Sequence, residues 1–313
     1  MKLGLIGPHD GGEPRVGCPE LQSQLNLASS LGFDQVYFSG MRPDDLATLP
    51  IDQTTQIKIG MDARAFGPCP PSEIERVVLK TQDRLGCRLA LGLKMYGAGA
   101  SSTQLTKAQA FDTLFSQDPR TELTFGAQRY PIKPQCPDVI GLPVTGACED
   151  VAIAAARGYY AMSPSWLPAP QLARHWPAIV QGATSALRRA RRAYWQVARM
   201  IVVHEDAATL DAYIYGTNSP FRRYYTYLSI CGLIGSDVDA HLRRVVIAGS
   251  ASKVADTILK LRETAGAFGS LQIVNPAGND PTMTRGTMIR LAEQVRPLVA
   301  AAGLENFKEL ETP

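Results

Sequence analysis

Strand-like and helix-like segments alternate along nearly the whole chain, and this order constrains the fold more than any other feature. Short runs of apolar residues predict eight strands, at 3–6, 35–38, 57–61, 88–93, 143–145, 158–162, 199–204 and 271–274. Helical patterns lie between and after them, at 20–31, 72–85, 107–115, 151–157, 171–192, 207–215, 221–230, 253–265 and 287–301. Because parallel strands need long crossover connections, the alternation predicts a parallel sheet.

The strands are almost continuously apolar, which is typical of a sheet that is buried on both faces. Eight strand–helix units in 313 residues are best accommodated by closing the sheet, so we predict a (β/α)8 TIM barrel. An open, doubly wound sheet is the alternative. No linker, internal repeat or low-complexity segment divides the chain, so we predict a single domain that spans residues 1–313.

Charge and cysteine content argue against several classes of protein. The 32 basic and 29 acidic residues leave a net charge of +3, which favours neither a nucleic acid nor a membrane as a partner. No run approaches the roughly 18 apolar residues of a membrane span, and the N-terminus breaks at Pro8, so no signal peptide is expected. The six cysteines form no C-x-x-C pair, and scattered cysteines predict a reduced, cytoplasmic protein. No spacing of His, Asp or Glu suggests a metal site.

In a barrel of this kind, chemistry takes place at the carboxyl ends of the strands. The candidate functional residues are therefore those that follow the predicted strands: His9, Asp10, Met41, Arg42, Asp62, Ala63, Lys94, Tyr96, Thr145, Gly146, Ala147, Cys148, Ser163, His204 and Asn275. Among them, 145–148 forms a small-residue turn that leads from a strand into a helix. The exposed N–H groups and the helix dipole would favour an anion there, although a tight turn closed by Glu149 and Asp150 explains the pattern equally well.

Several segments resemble the bacterial luciferase-like flavin-dependent monooxygenases, in particular the limonene monooxygenase type. The similarity is clearest in V-V-I-A-G-S-A-S-K-V-A-D-T-I-L-K-L-R-E-T-A-G-A-F-G-S-L-Q-I-V (245–274), and it continues in 142–158, 195–213, 31–38 and 57–64 in the same order. The resemblance implies a barrel that receives reduced FMN from a separate flavin reductase and uses O₂ to oxygenate a small organic molecule. Because relatives are often dimers, it also suggests a homodimer.

The resemblance also implies roles for individual residues. Thr145, Gly146, Ala147 and Cys148 would bind the flavin phosphate, with Cys148 in a position where the family often has Ser. Lys94 stands near the position of a phosphate-binding Arg. Asp62 and Ala63 occupy the step that holds a non-proline cis peptide against the flavin in the family, and Ser163 is a further cofactor-binding candidate.

The predicted acid–base machinery departs from the family. After the second strand, luciferase-like monooxygenases usually have Glu-His-His, whereas this chain has Ser39-Gly40-Met41-Arg42. The remaining acid–base candidate is His9, on the neighbouring first strand and beside Asp10.

The remaining strand-end residues are predicted to bind the substrate. These are Met41, Arg42, Tyr96, His204, Arg223 and Asn275, where Arg223 is included because it could reach the site from a Tyr-rich helix.

Three functions therefore remain open. The first is an FMNH₂-dependent monooxygenase, and the second is an oxidoreductase of the same superfamily that uses a deazaflavin. The third is a flavin-binding protein that has lost catalysis, for which a strand-end opening filled by side chains would be the discriminating observation.

Overall fold

The computed structural model of the chain describes residues 1–9, 19–38, 56–62, 81, 85, 88–95, 122–125, 128–131, 138–143, 145–276 and 279–302. Eight parallel strands form a closed barrel, so the predicted (β/α)8 fold is confirmed. In their order around the barrel, the strands are β1 (Lys2–His9), β12 (Ser270–Pro276), β9 (Trp195–Arg199), β8 (Tyr160–Ser163), β7 (Asp138–Pro143), β4 (Leu89–Met95), β3 (Lys58–Asp62) and β2 (Gln35–Phe38).

In the described part of the chain, helices follow β1, β7, β8 and β12, as the alternation predicted. The described helices are α1 (Pro19–Ser30), α2 (Cys148–Ala156), α3 (Ala169–Leu172), α4 (His175–Ser185), α5 (Ala207–Tyr215), α6 (Pro220–Ile230), α7 (Val238–Val245), α8 (Ala251–Ala265), α9 (Pro281–Arg290) and α10 (Arg296–Ala301), with a π-helical turn at Leu291–Val295. Among these described helices, none is long and apolar enough to cross a membrane. The predicted helix at 107–115 lies outside the described residues.

The prediction for the seventh barrel strand was wrong. The apolar run at 199–204 was expected to be that strand, but the barrel strand is the preceding β9, Trp195–Arg199. At Met200 the chain leaves the barrel ladder, and β10 (Ile201–Val203) instead pairs in parallel with β11 (Ile247–Gly249) in a separate two-stranded sheet. Met200 is itself apolar, so the sequence gives no sign that the barrel strand ends here.

Other boundaries also differ from the predictions. The fifth barrel strand is Asp138–Pro143 rather than 143–145, and the long helix predicted at 171–192 is divided into α3 and α4. Helix α7 was not predicted, and neither was the antiparallel hairpin of β5 (Glu122–Phe125) and β6 (Gln128–Pro131). The α3–α4 division places Trp176 and Pro177 in the first turn of a new helix, where a proline is tolerated.

Large and small residues alternate across the interior of the barrel. Tyr37 points inward from β2 and is 2% exposed. A Cβ atom added to Gly60 or Gly92 would lie 2.3 Å from the Tyr37 ring and 1.8 Å from its hydroxyl, respectively. The two glycines therefore provide the space that the tyrosine ring occupies, and the interior is packed rather than open.

Helices α2 and α4 pack closely on the outside of the barrel. At their contact, a Cβ atom added to Gly182 would lie 2.1 Å from the carbonyl oxygen of Ala152. The neighbouring atom belongs to helical backbone, so it cannot move aside as a flexible side chain could. Gly182 therefore fixes the distance between α2 and α4, and α2 begins at the candidate phosphate turn.

We expect Gly182→Ala to lower the free energy of unfolding by about 1–3 kcal/mol, because it forces the two helices apart. Alanine otherwise favours a helix interior, so a loss of stability would identify the close contact as its cause. Gly235→Ala is the control, since no heavy atom lies within 4 Å of its added Cβ. Thermal and urea unfolding measure both variants; equal stability of Gly182→Ala and the wild type would contradict the prediction.

Candidate functional site

The turn after β7 is held together by a buried carboxylate. Asp150 is 0% exposed, and its Oδ2 accepts hydrogen bonds from the Thr145 backbone N–H at 3.1 Å and from the Thr145 hydroxyl at 3.0 Å. The Thr145 hydroxyl oxygen in turn accepts from the Ala147 N–H at 3.2 Å. Asp150 is the third residue of α2, and it reaches back past the N-cap residue, Ala147, to Thr145. Asp150 therefore points into the protein, and it stabilises the turn.

The start of α2 remains available to an anion. The N–H groups of the first helical residues, Cys148 and Glu149, have no partners within the helix. The Glu149 side chain is exposed, and the Cys148 thiol lies 3.7 Å from the carbonyl oxygen of Arg174. The positive end of the helix dipole and these N–H groups together form a suitable place for a phosphate.

A series of buried hydrogen bonds that begins at Trp195 holds the same turn through the carbonyl group of Gly146. The Trp195 indole N–H donates to the Ser163 hydroxyl oxygen at 2.8 Å, and Ser163 Oγ lies 2.7 Å from His175 Nδ1. His175 Nε2 lies 3.0 Å from the carbonyl oxygen of Gly146. An indole nitrogen only donates and a carbonyl only accepts, so Ser163 donates to Nδ1 and the Nε2–H donates to Gly146. We call this arrangement the Trp195–Gly146 chain.

The Trp195–Gly146 chain requires a neutral imidazole. His175 is 1% exposed, and burial lowers its pKa, with a smaller opposing effect from its bond to Gly146. Protonation would place a hydrogen on Nδ1, and the bond from Ser163 would be lost. Gly146 has a positive φ of 73°, so the histidine holds the carbonyl of a residue in a glycine-specific conformation.

A buried arginine lies at the end of β9. The guanidinium of Arg199 donates to the carbonyl oxygens of Ala198 at 2.8 Å, Leu167 at 2.8 Å and Pro164 at 3.3 Å. Burial lowers its pKa to about 10, and the neighbouring Tyr225 acts in the opposite direction. Arg199 therefore fixes the segment after β8, and sequence patterns did not single it out because it lay inside an apolar run.

Helices α6 and α7 cover this part of the carboxyl end of the barrel. Phe221, Tyr225 and Leu228 form one buried face of α6 and belong to the same apolar cluster as barrel-interior residues such as Met162. On α7, the Nε2–H of His241 donates to the carbonyl oxygen of Trp166 at 2.8 Å. Burial raises the pKa of Tyr225, so its hydroxyl stays protonated. On the β8–β9 side, side chains therefore fill the end of the barrel.

The structure places several predicted site residues away from the barrel interior. Ser163 faces the outer helices, within the Trp195–Gly146 chain. Asn275 is buried outside the interior, where its Oδ1 accepts from Asn279 and from Thr284. Arg223 is exposed, on the side of α6 opposite Phe221 and Tyr225. These three positions do not support the predicted roles in cofactor or substrate binding.

His204 does not end a barrel strand, because β10 belongs to the separate sheet. Its backbone N–H donates to the carbonyl oxygen of Gly249 at 3.0 Å, and its Nδ1 accepts from the Asp206 N–H at 3.1 Å. His204 therefore contributes to the turn into α5. It was selected as a site residue only because the seventh barrel strand was wrongly predicted to end there.

The other predicted residues lie wholly or partly outside the described part of the chain. Asp10, Met41, Arg42, Ala63 and Tyr96 are outside it. Only the backbone is described for three more, which have these neighbours in the ladder: His9 beside Pro276, Asp62 beside Gly92 and Lys94 beside Leu142. Lys94 thus lies one strand away from the 145–148 turn. Within the described residues, no group of three or more His, Cys, Asp or Glu could hold a metal ion.

The architecture is shared with solved enzymes over nearly the whole chain. The oxygenating constituent of 3,6-diketocamphane monooxygenase from Pseudomonas putida, solved with FMN, has a TM-score of 0.70 at 17% identity, covering 95% of this chain and 98% of that one. A monooxygenase from Streptomyces bottropensis has a TM-score of 0.69 at 15% identity, with coverage of 95% and 99%.

A third similar structure belongs to a different type of enzyme. The coenzyme F420-dependent tetrahydromethanopterin reductase from Methanopyrus kandleri has a TM-score of 0.62 at 13% identity, with coverage of 95% and 98%. No family model and no curated protein matches the sequence. The predicted luciferase-like barrel is therefore confirmed as a fold.

We expect the free energy of unfolding to decrease as the pH falls below about 6.5, the ordinary pKa of histidine, because of His175. Its pKa is lower in the folded than in the unfolded chain, so the unfolded state binds more protons in this range. The contribution is complete above about 6.5, the ordinary pKa of histidine, and is lost as the pH falls through the folded value. His175→Gln keeps a donor for Gly146 and cannot titrate, so its unfolding free energy should depend less on pH.

Urea unfolding at several pH values measures this effect. Burial lowers the pKa of His241 as well, so a smaller slope should remain in His175→Gln and decrease further in the His175→Gln/His241→Gln double variant. A slope in His175→Gln equal to that of the wild type would contradict the assignment of the neutral tautomer.

Proposed function

We propose that the protein is a flavin-dependent monooxygenase that uses reduced FMN from a separate reductase and O₂ to oxygenate a small organic molecule. The observation that carries the proposal is the anion-binding geometry at the start of α2, at the carboxyl end of a barrel strand. The similarity in fold to an FMN-bound monooxygenase supports it. Fold alone does not define an activity, because one fold hosts many functions.

The start of α2 fits a flavin phosphate, whereas the Thr145 N–H and hydroxyl and the Ala147 N–H already have partners within the turn. Glu149 and Asp150, the two acidic residues at the start of α2, would repel a phosphate if their side chains faced it. Asp150 is instead buried and bonded to Thr145, and the Glu149 side chain is exposed. The first-turn N–H groups of α2 are then the donors for the phosphate, and Lys94, on the adjacent strand β4, is the candidate for its counter-charge.

The protein's own contribution is to bind, orient and shield. Bound FMN would supply the oxygen-activating redox chemistry, as cofactors do in such enzymes. The Trp195–Gly146 chain holds the phosphate turn in position, and Arg199 holds the segment after β8. Phe221 and Tyr225 exclude water from one side of the carboxyl end. His9, at the end of β1, is the proposed residue for proton transfer.

Two alternatives keep specific support. An oxidoreductase that uses a deazaflavin is favoured by the similar fold of the F420-dependent reductase and by the absence of Glu-His-His after β2. A flavin-binding protein without catalysis is favoured by the buried cluster of Arg199, Phe221 and Tyr225, which fills part of the carboxyl end. Titration with FMN and with F420 side by side separates the first alternative from the main proposal.

The phosphate site predicts that the protein binds FMN more tightly than riboflavin, which lacks the phosphate. We expect Cys148→Asp to remove this preference, because it places a carboxylate at the first position of α2. The binding of riboflavin should change little. An acidic residue is also favourable at this end of a helix, so the variant should fold. Fluorescence titration with both ligands, in oxidised form, measures the two affinities.

Cys231→Asp provides the matched control. Cys231 is exposed and follows the last residue of α6, so the same change of charge there should leave both affinities unaltered. Equal affinities of the wild type for FMN and riboflavin would rule out the phosphate site at α2, and so would an unchanged preference in Cys148→Asp.

Catalysis is tested by supplying the protein with FMN, NADH and an unrelated flavin reductase, together with a panel of ketones, terpenes and aromatic compounds. We expect oxygenated product from at least one class. His9→Ala should lower the rate on the order of 100-fold with unchanged FMN affinity, because proton transfer is lost and binding is not. Tight FMN binding without any product would favour the non-catalytic alternative, and a normal rate in His9→Ala would exclude His9.

A further inference from the structure

The loop that joins α4 to β9 carries a high concentration of positive charge. Residues 186–194 read A-L-R-R-A-R-R-A-Y, with four arginines among five consecutive positions. The loop lies at the amino-terminal end of the barrel, because β9 begins directly after it at Trp195, whereas α2 begins at the opposite end. The net charge of +3 argued against a membrane partner, but it averages over the whole chain and does not show how the charges are distributed.

Leu187, near the start of this loop, is costly to the folded protein. Its side chain is 99% exposed, the highest fraction among the large apolar residues that the structure describes. Its φ of 55° lies in the left-handed region, and its N–H donates to the carbonyl oxygen of Thr184 at 3.0 Å where α4 ends. Glycine is the usual residue at such a helix end, because a side chain disfavours this conformation. Stability therefore does not explain a leucine here, whereas contact with an apolar partner would.

Two of the four arginines hold the loop on the body of the protein. The Arg192 guanidinium carbon lies 4.2 Å from the centroid of the Trp176 ring, and its Nη1 donates to the carbonyl oxygen of Ala267 at 2.8 Å. The Arg188 guanidinium packs against Gly158, where an added Cβ atom would lie 2.7 Å from Arg188 Nη1. The exposed side chains of the loop are therefore presented from a fixed base.

The other two arginines are exposed beside an aromatic ring. Arg189 and Arg191 both lie on the surface. The Arg191 guanidinium carbon is 5.7 Å from the centroid of the Tyr194 ring, and Tyr194 is itself 40% exposed. The loop thus combines a fully exposed aliphatic side chain, two exposed guanidinium groups and a partly exposed phenol ring. We call Leu187, Arg189, Arg191 and Tyr194 together the 187–194 patch.

The charges around the 187–194 patch are also mainly positive. Outside the loop, the basic residues described at this end of the barrel are Lys2, Lys58, Arg88, Arg157, Arg262 and Arg296. The acidic residues described at the same end are Asp34, Asp138 and Glu263. Asp138 forms an ion pair with Lys58, so these two charges cancel. Basic groups outnumber acidic ones even without the loop, so this end of the barrel attracts an anionic surface.

The surface of a membrane rich in anionic lipids matches every part of the 187–194 patch. Arginines at such a surface stay at the level of the lipid phosphates, while an aliphatic side chain enters the boundary with the acyl chains and a tyrosine ring occupies the interface. A nucleic acid would attract the arginines equally, but it binds proteins through phosphates, base edges and stacking, and it offers no apolar layer to Leu187. We propose that the 187–194 patch binds the protein reversibly to the surface of a membrane that contains anionic lipids. The proposal does not depend on the flavin chemistry, which concerns the opposite end of the barrel.

Co-sedimentation of the protein with lipid vesicles tests the proposal. The vesicles contain phosphatidylcholine alone or an equal mixture of phosphatidylcholine and phosphatidylserine. We expect the protein to bind the mixed vesicles at least about tenfold more tightly, because exposed basic groups gain from the negative surface potential. The preference should weaken as the salt concentration is raised, since ions screen that potential. Equal binding to the two kinds of vesicle, no binding to either, or tighter binding to a DNA duplex than to the mixed vesicles would overturn the proposal.

Leu187→Gly separates membrane binding from folding. Glycine suits the left-handed conformation, so the variant should be at least as stable as the wild type in urea unfolding. It should bind the mixed vesicles about fivefold to tenfold more weakly, because the side chain that enters the lipid is gone. Ile230→Ala is the control, since Ile230 is 80% exposed on α6, which covers the carboxyl end of the barrel, and vesicle binding should not change. Unchanged binding in Leu187→Gly would contradict the proposal, because attraction by charge alone suits any polyanion.

Arg189→Gln/Arg191→Gln removes both exposed charges from the patch. It should lower the affinity for the mixed vesicles about tenfold and leave binding to phosphatidylcholine unaltered. Arg223→Gln/Arg285→Gln removes the same charge from exposed positions of α6 and α9, and it should bind as the wild type does. Far-UV circular dichroism checks that both double variants fold. Equal losses of affinity in the two would show that only the net charge matters, and would overturn the assignment to the patch.

Discussion

Closure of the parallel sheet is the constraint on which the rest of the structure depends. β1 pairs with β12 on one side and with β2 on the other, so every barrel strand has two neighbours and no edge is left open. A closed barrel also has a fixed interior that side chains must fill. Tyr37 fills it where Gly60 and Gly92 leave room, so these three positions have to be specified together.

The fold could be predicted from the sequence because local patterns of apolar residues identify its strands and helices. Apolar runs and helix periodicity give the order of the elements, and a parallel sheet follows from that order. The error at the seventh strand has a physical cause. The residues from Met200 onwards continue the apolar run, and only the pairing of β10 with β11, some 45 residues later in the chain, takes them out of the barrel. Because this pairing involves residues that are distant in sequence, the residues around Met200 contain no local signal that the chain leaves the barrel there.

The candidate site divides in the same way. The 145–148 turn was found because a strand, small residues and a helix start adjoin in sequence. The inward position of Asp150 and the role of His175 were not found, because they depend on contacts with Thr145 and Gly146 that form only on folding. A lone histidine in the first turn of a helix carries no spacing signal. Ser163 was selected for its place at a strand end, yet its side chain points to the opposite face of the sheet, since successive residues of a strand alternate.

The interruption at Met200 has a consequence for the way such a barrel can diversify. The segment 204–246, which contains α5, α6 and α7, leaves from the end of β10 and returns at the start of β11, and these two strands are hydrogen-bonded neighbours. Because β10 and β11 are parallel, the segment leaves from the carboxyl end of β10 and returns to the amino end of β11, and the His204 N–H bonds to the carbonyl oxygen of Gly249 at the far end of β11. The segment is therefore a crossover connection within the separate two-stranded sheet. Its length and composition can change while the barrel ladder stays as it is, because neither of its two flanking strands belongs to that ladder.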